Sequence, residues 1–149
     1  MTLGHMEDII KRLDSNYERD QGMFTFVYAD RSIRVVTDEN ADRMRVIIPI
    51  IEAASLNEAA LLRVLQANFD SALDARYAVA QGVLWSTFIH RLSSLDDRDF
   101  LSGIGQTINT AESFGTSYSS GELVYGGGDS GDILRRDLID QLQSEGTTI

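Results

Sequence analysis

The sequence predicts an α+β fold, an antiparallel sheet of about five strands with helices packed on it in the order α-β-β-β-α-β-β-α. Three observations predict it. Three strand-like runs between Met23 and Ile51 are separated only by short polar links, the mark of an antiparallel meander. A Gln81-Gly82 pair joins two further alternating runs, and three segments repeat their apolar residues at the helical period.

The first element is "MEDIIKRLDSNY". Met6, Ile9, Ile10, Leu13 and Tyr17 share one side of a short helix, with Glu7 and Asp8 expected in its first turn, where the dipole favours acids. Residues 1–5 are set aside from the fold, because "GHM" at Gly4–Met6 resembles a cloning remnant. "RDQG" then stops the helix. In "MFTFVYAD", Phe24, Phe26 and Tyr28 occupy one face and Met23, Thr25 and Val27 the other. A connection at Asp30-Arg31 leads to "SIRVVT", and "DENADR" is a solvated turn before "MRVIIPII". Pro49 cannot donate to a ladder, which predicts that this third strand is an edge or ends near the proline. The aromatic face of the first strand reads as core. The opposite face is then partly open and needs a cover, for which a partner is the natural candidate.

"SLNEAALLRVLQANFD" is the strongest helix, with Ser55 and Glu58 at capping-box spacing and a broad stripe of Leu61, Leu62, Val64, Leu65 and Phe69. "RYAVAQGVLWSTFIHRL" is a hairpin in which Gly82 permits positive φ. Its second strand is apolar on both faces, which predicts a central strand or cover on both sides, with Trp85 as a packing anchor. "SSLDDRDFLSGIGQTINTAESF" is the last helix of the domain. Ser94 and Asp97 have cap spacing, the aspartates fall in the first turn, and Leu101, Ile104, Ile108 and Ala111 form the stripe. Gly103 and Gly105 each cost about 1 kcal/mol against alanine in a helix, which close approach to the sheet would explain. The domain is therefore expected over residues 6–114. A Gly/Ser-rich linker follows over 115–131, then a short amphipathic helix within 132–149 carrying Ile133, Leu134, Leu138 and Leu142.

Composition narrows the function. A 43% hydrophobic content over 149 residues suffices for a folded core. The net charge of −10 divides into −6 over residues 1–114 and −4 over 115–149, a field that opposes nucleic acid and anionic membrane surfaces. No apolar run approaches the roughly 18 residues of a membrane span, and the first residues lack the pattern of a signal peptide. With no cysteine, these features point to a soluble cytoplasmic protein without disulfides, thiolate metal sites or cysteine nucleophiles.

No motif carries chemistry. His90 stands at a strand end, Asp96-Asp-Arg-Asp99 begins a helix, and "DSGD" at 129–132 lacks the length of a calcium loop. "GGG" at 126–128 lacks the Lys-Ser/Thr of a phosphate loop. The expectation is no catalytic residue, no metal and no cofactor; an enzyme built on carboxylates is the weak alternative.

The element order, and within "NFDSALDARYAVAQGVLWSTFIHRLSSLDDRDFLSGIGQTINTAESF" the Arg-Tyr-Ala strand at 76–78, the turn at Gly82 and Leu95 leading into a final helix, resemble the YbjN-like proteins and their relatives, the type III secretion chaperones of the CesT (Tir-chaperone) type. The resemblance covers roughly residues 6–114 and implies a non-enzymatic homodimer that holds an extended segment of another protein. It implies dimer packing through Leu61, Leu62, Leu65 and Phe69 of the second helix. It implies a client groove of Ile9, Ile10, Leu13, Met23, Thr25 and Val27. The YbjN-like branch implies regulation or stress response. A second expectation is accordingly an adaptor whose Ile133, Leu134, Leu138 and Leu142 dock on a larger assembly.

Overall fold

The structure is a computed structural model that describes residues 1–120. It runs α1 (Leu3–Leu13), β1 (Glu18–Asp20), β2 (Met23–Tyr28), β3 (Arg31–Asp38), β4 (Arg43–Glu52), a 3₁₀ turn (Ala53–Ser55), α2 (Glu58–Asp70), β5 (Arg76–Ala80), β6 (Val83–His90) and α3 (Asp97–Glu112). The predicted class holds, with six antiparallel strands in the order β1-β2-β3-β4-β6-β5. The additional strand is β1, which pairs Glu18 with Thr25 and Asp20 with Met23. All three of its residues are exposed. A short polar edge strand needs no apolar alternation and leaves no pattern to read.

The helices lie together on one face of the sheet. Alternate residues Phe24 and Phe26, Ile33 and Val35, Met44, Val46 and Ile48, and Phe88 build that face; Met6, Ile9 and Ile10 of α1 and Phe100, Ile104, Ile108 and Ala111 of α3 cover it. At the β5–β6 end α2 closes the layer, packing Val64 and Ala67 on Tyr77 and Leu84. Among the described residues the other face carries no helix, and β6 is a central strand, between β4 and β5.

Local chemistry corrects several boundaries. Thr2 caps α1 by accepting from the His5 amide at 3.1 Å, and the Met1 ammonium donates to the Leu92 carbonyl at 2.6 Å. Residues 1–5 thus belong to the fold, and Glu7 and Asp8 fall beyond the first turn. The β2–β3 turn is Ala29-Asp30, with φ of 52° and 59°, because Tyr28 already pairs with Arg31. β4 continues to Glu52, past Pro49, but its ladder with β3 stops at Arg34–Ile47, so Pro49 is paired only with Trp85 of β6 and the expected edge holds locally. β4 lies between β3 and β6, and the register shifts in a bulge between Pro49 and Ile51, which accommodates a residue without an N–H. Asn57, not Ser55, caps α2, accepting from the Ala60 amide at 2.8 Å. Asp96, not Ser94, caps α3, accepting from Asp99 at 2.7 Å. In α3 Phe100 is buried and Leu101 is exposed.

Two readings of small residues divide. The Phe88 ring lies where a Cβ on Gly103 would stand, whereas a Cβ on Gly105 would meet nothing. The turn at 38–42 is more than solvated. Asp42 accepts from the Ser93 hydroxyl at 2.6 Å and the Ser93 amide at 2.8 Å, bonds that hold its carboxyl below the usual range.

The domain also runs past residue 114. Phe114 and Tyr118 set their rings edge-on to Tyr77 at 6.2 and 6.1 Å, Ser71 donates to the Tyr118 carbonyl, and Ser119 and Ser120 are buried. Tyr77 itself donates to the Thr110 carbonyl at 2.9 Å, and burial pushes its hydroxyl up to about 12. The folded state therefore holds this proton more tightly than the unfolded chain, whose tyrosine titrates near 10. Stability is full below about pH 10 and falls on the order of 2–3 kcal/mol as pH rises towards 12. Tyr77→Phe is expected to flatten that alkaline loss, measured as urea midpoint against pH.

Candidate functional site

The polar residues weighed for chemistry serve structural ends. His90 Nδ1 lies 2.8 Å from the Arg91 carbonyl and the ring stacks on Phe88. His5 meets Asp97 at 2.6 Å, joining α1 to the start of α3. Asp14 accepts from the amides of Val27 and Asn16, which lowers its pKa, and it occupies the side of β2 that the short β1 leaves open. Among the described residues no group of three or more acids or histidines could hold a metal ion.

The feature that needs a functional account is the helix-free face of the sheet. Pairing sets its side chains in rows. Thr25, Arg34, Ile47, Thr87 and Arg76 form one row from β2 to β5; Met23, Val36, Arg45 and Ile89 form the next. Pro49, Trp85 and Ala78 form a third beside them. Val27, Val36 and Ile89 are 57%, 38% and 52% exposed, while Met23, Ile47 and Trp85 are half-buried. A single exposed aliphatic is ordinary, but a continuous set on one sheet face is a candidate interaction surface. Towards β5 this face forms an open groove of about 390 Å³, lined by Arg45, Ile47, Ala78, Val79, Trp85 and Ile89. Trp85 is held there by donating to the Ala80 carbonyl at 2.9 Å.

The polar groups of this face are unusual for so acidic a chain. Arg34 and Arg45 are exposed and have no ion pair or hydrogen bond among the described residues. The Thr87 hydroxyl is buried in the groove without a hydrogen-bond partner. At the sheet edge the Asn68 carboxamide receives the Tyr77 amide at 2.8 Å and donates to its carbonyl at 2.9 Å, standing in for a neighbouring strand. Alternation in antiparallel pairing then leaves Val79, 55% exposed, as the next outward-pointing backbone pair of β5.

The six residues expected to form a client groove are not brought together. Ile9 and Ile10 are buried in the core and Leu13 packs against it, because α1 lies on the Phe24–Phe26 side. Met23, Thr25 and Val27 point to the opposite face, as the period of two requires. On α2, Leu62, Leu65 and Phe69 stand outward at 59%, 63% and 84% exposure, with Leu61 half-buried. Ile133, Leu134, Leu138 and Leu142 lie outside the described residues. Sequence reading missed Val36, Ile47, Trp85, Ile89, Arg34 and Arg45 as a surface. Their alternation was visible, but the side the helices take was not.

No protein-family model matches the sequence, and no curated protein does. Solved structures do match it in fold. The chain aligns with a chain of the ExsC–ExsE complex at TM-score 0.56 and 10% identity, covering 74% of this chain and 90% of that one. It aligns with a chain of the HopA1–SchA chaperone–effector complex at 0.52 and 9%, covering 75% and 94%. It aligns with a chain of the Yersinia pestis type III secretion chaperone SycH in complex with a fragment of YscM2 at 0.57 and 12%, covering 76% and 99%. The fold is that of secretion chaperones.

Proposed function

We propose that this chain is a non-enzymatic protein-binding module of the secretion-chaperone kind, which holds an extended segment of a partner polypeptide against the helix-free face of its sheet. The observation that carries the reading is the uncovered apolar face around Trp85, Ile47 and Ile89. The fold neighbours support it, since each is described in complex with another protein. An extended segment presents alternate side chains to a sheet, and each aliphatic or aromatic group it buries contributes about 1.5–3 kcal/mol before the cost of ordering. Its backbone finds polar partners at the Val79 edge of β5, the chemistry of strand addition. Fluorescence anisotropy of labelled, reduced insulin B chain tests the reading. Saturable binding by the full chain is the expected result, and no binding would count against it.

The exposed stripe of α2 supports a second element of the proposal, a homodimer packed through Leu62, Leu65 and Phe69. Leu65→Asp places a charge in that stripe and is expected to convert a dimer to a monomer in light scattering, with the melting temperature of the monomer fold retained. A variant that stays dimeric would move the interface elsewhere.

A further inference from the structure

We propose that the acidic C-terminal segment of the chain, residues 132–143, docks on the helix-free face of its own domain and competes there with the partner polypeptide; this rests on the reading of that face as the partner site. Charge is the first argument. Residues 121–149 contain six acids and two arginines, a net −4. The domain they follow is itself acidic, yet Arg34 and Arg45 stand on this face without partners among the described residues, and Arg76 ends the row that contains Arg34. Within residues 132–143, Asp132, Asp137 and Asp140 outnumber Arg135 and Arg136, a net −1, and are interleaved with Ile133, Leu134, Leu138 and Leu142. That is the complement of a face on which Arg34 and Arg45 alternate with Val36, Ile47 and Ile89.

Reach is the second argument. The described chain ends where the Ser120 hydroxyl accepts from the Leu73 amide, just ahead of β5. Residues 121–131 can span at most about 36–40 Å. From Arg76 on β5 to Arg34 on β3 is three strand spacings, about 14 Å. A tethered segment meets such a site at an effective concentration of order mM, so weak contacts suffice to fill it and a better-fitting partner can displace it. The outer stripe of α2 fits less well. Glu58 stands in its first turn, and the Arg63 guanidinium lies over the Tyr118 ring.

The test uses the full chain, which has one tryptophan, Trp85 on this face, and no cysteine. A nitroxide quencher is attached through Leu138→Cys, with a diamagnetic label as control. Several-fold quenching of Trp85 is expected at low salt, independent of dilution. Relief is expected near an ionic strength of about 1 M, where screening acts within about 3 Å. Arg34→Glu with Arg45→Glu should also relieve it, and Asp137→Arg with Asp140→Arg should restore quenching in that background. Absence of quenching, its loss on dilution (a contact between copies) or indifference to the arginine reversals (a seat elsewhere, such as α2) would each overturn the proposal. Binding of labelled insulin B chain by the same samples separates the two claims. Binding without quenching overturns only the cis contact, whereas quenching without any binding overturns the reading of the face as a partner site.

Discussion

The double variant Val36→Asp, Ile89→Asp is expected to keep its fold and to lose at least about a hundredfold in affinity for an unfolded polypeptide. Both side chains flank Arg45 in one row of the helix-free face, and neither belongs to the core packed beneath the helices. The two introduced carboxylates lie beside that guanidinium, so the cost to stability is small. Binding suffers twice. Two apolar contacts of about 1.5–3 kcal/mol each are removed, and an incoming apolar segment must desolvate two charges. Suppression of insulin B chain aggregation measures the loss, and thermal unfolding checks the fold. A double variant that binds as well as the parent would place the site elsewhere.

Gly103→Ala is expected to destabilise the protein by about 1–3 kcal/mol, although alanine is the better helix former by about 1 kcal/mol. The Phe88 ring fills the space of the missing methyl, and it is a core side chain only 4% exposed, so relief requires moving a packed ring. Gly105→Ala, two residues along the same helix, meets nothing within 4 Å and is expected to stabilise by up to about 1 kcal/mol. Urea unfolding of the pair gives opposite signs if the contact sets the choice of glycine. The same sign for both would refute the packing account.

Much of the fold was legible because its signals are local. Gln81-Gly82 carries φ of 52° and 75° in the turn expected of it. The alternation of Phe24 and Phe26 with Met23 and Thr25 separated two faces of β2 correctly. What escaped depends on neighbours far away in sequence. Pro49 marked the place where the ladder to β3 stops, but a lone strand cannot reveal that β4 continues past it on β6 through a bulge. Ser55 and Glu58 offered a capping box, but the 3₁₀ turn after β4 takes Ser55 and leaves Asn57 to cap. Ile9 and Ile10 were expected at a client groove, and Trp85 as a packing anchor. Their surroundings were set when the three helices among the described residues settled on the Phe24–Phe26 face, an outcome of tertiary packing that no periodicity encodes.

The most direct test of the polypeptide-binding face is site-specific photo-crosslinking of the full chain to reduced insulin B chain. A benzophenone side chain is placed in turn at Ile89 on the helix-free face, Leu65 on α2 and Leu101 on α3, sites of comparable exposure at 52%, 63% and 46%. The helix-free face predicts an adduct from position 89 that excess unlabelled B chain suppresses. Adducts from 65 or 101 with none from 89 would contradict it.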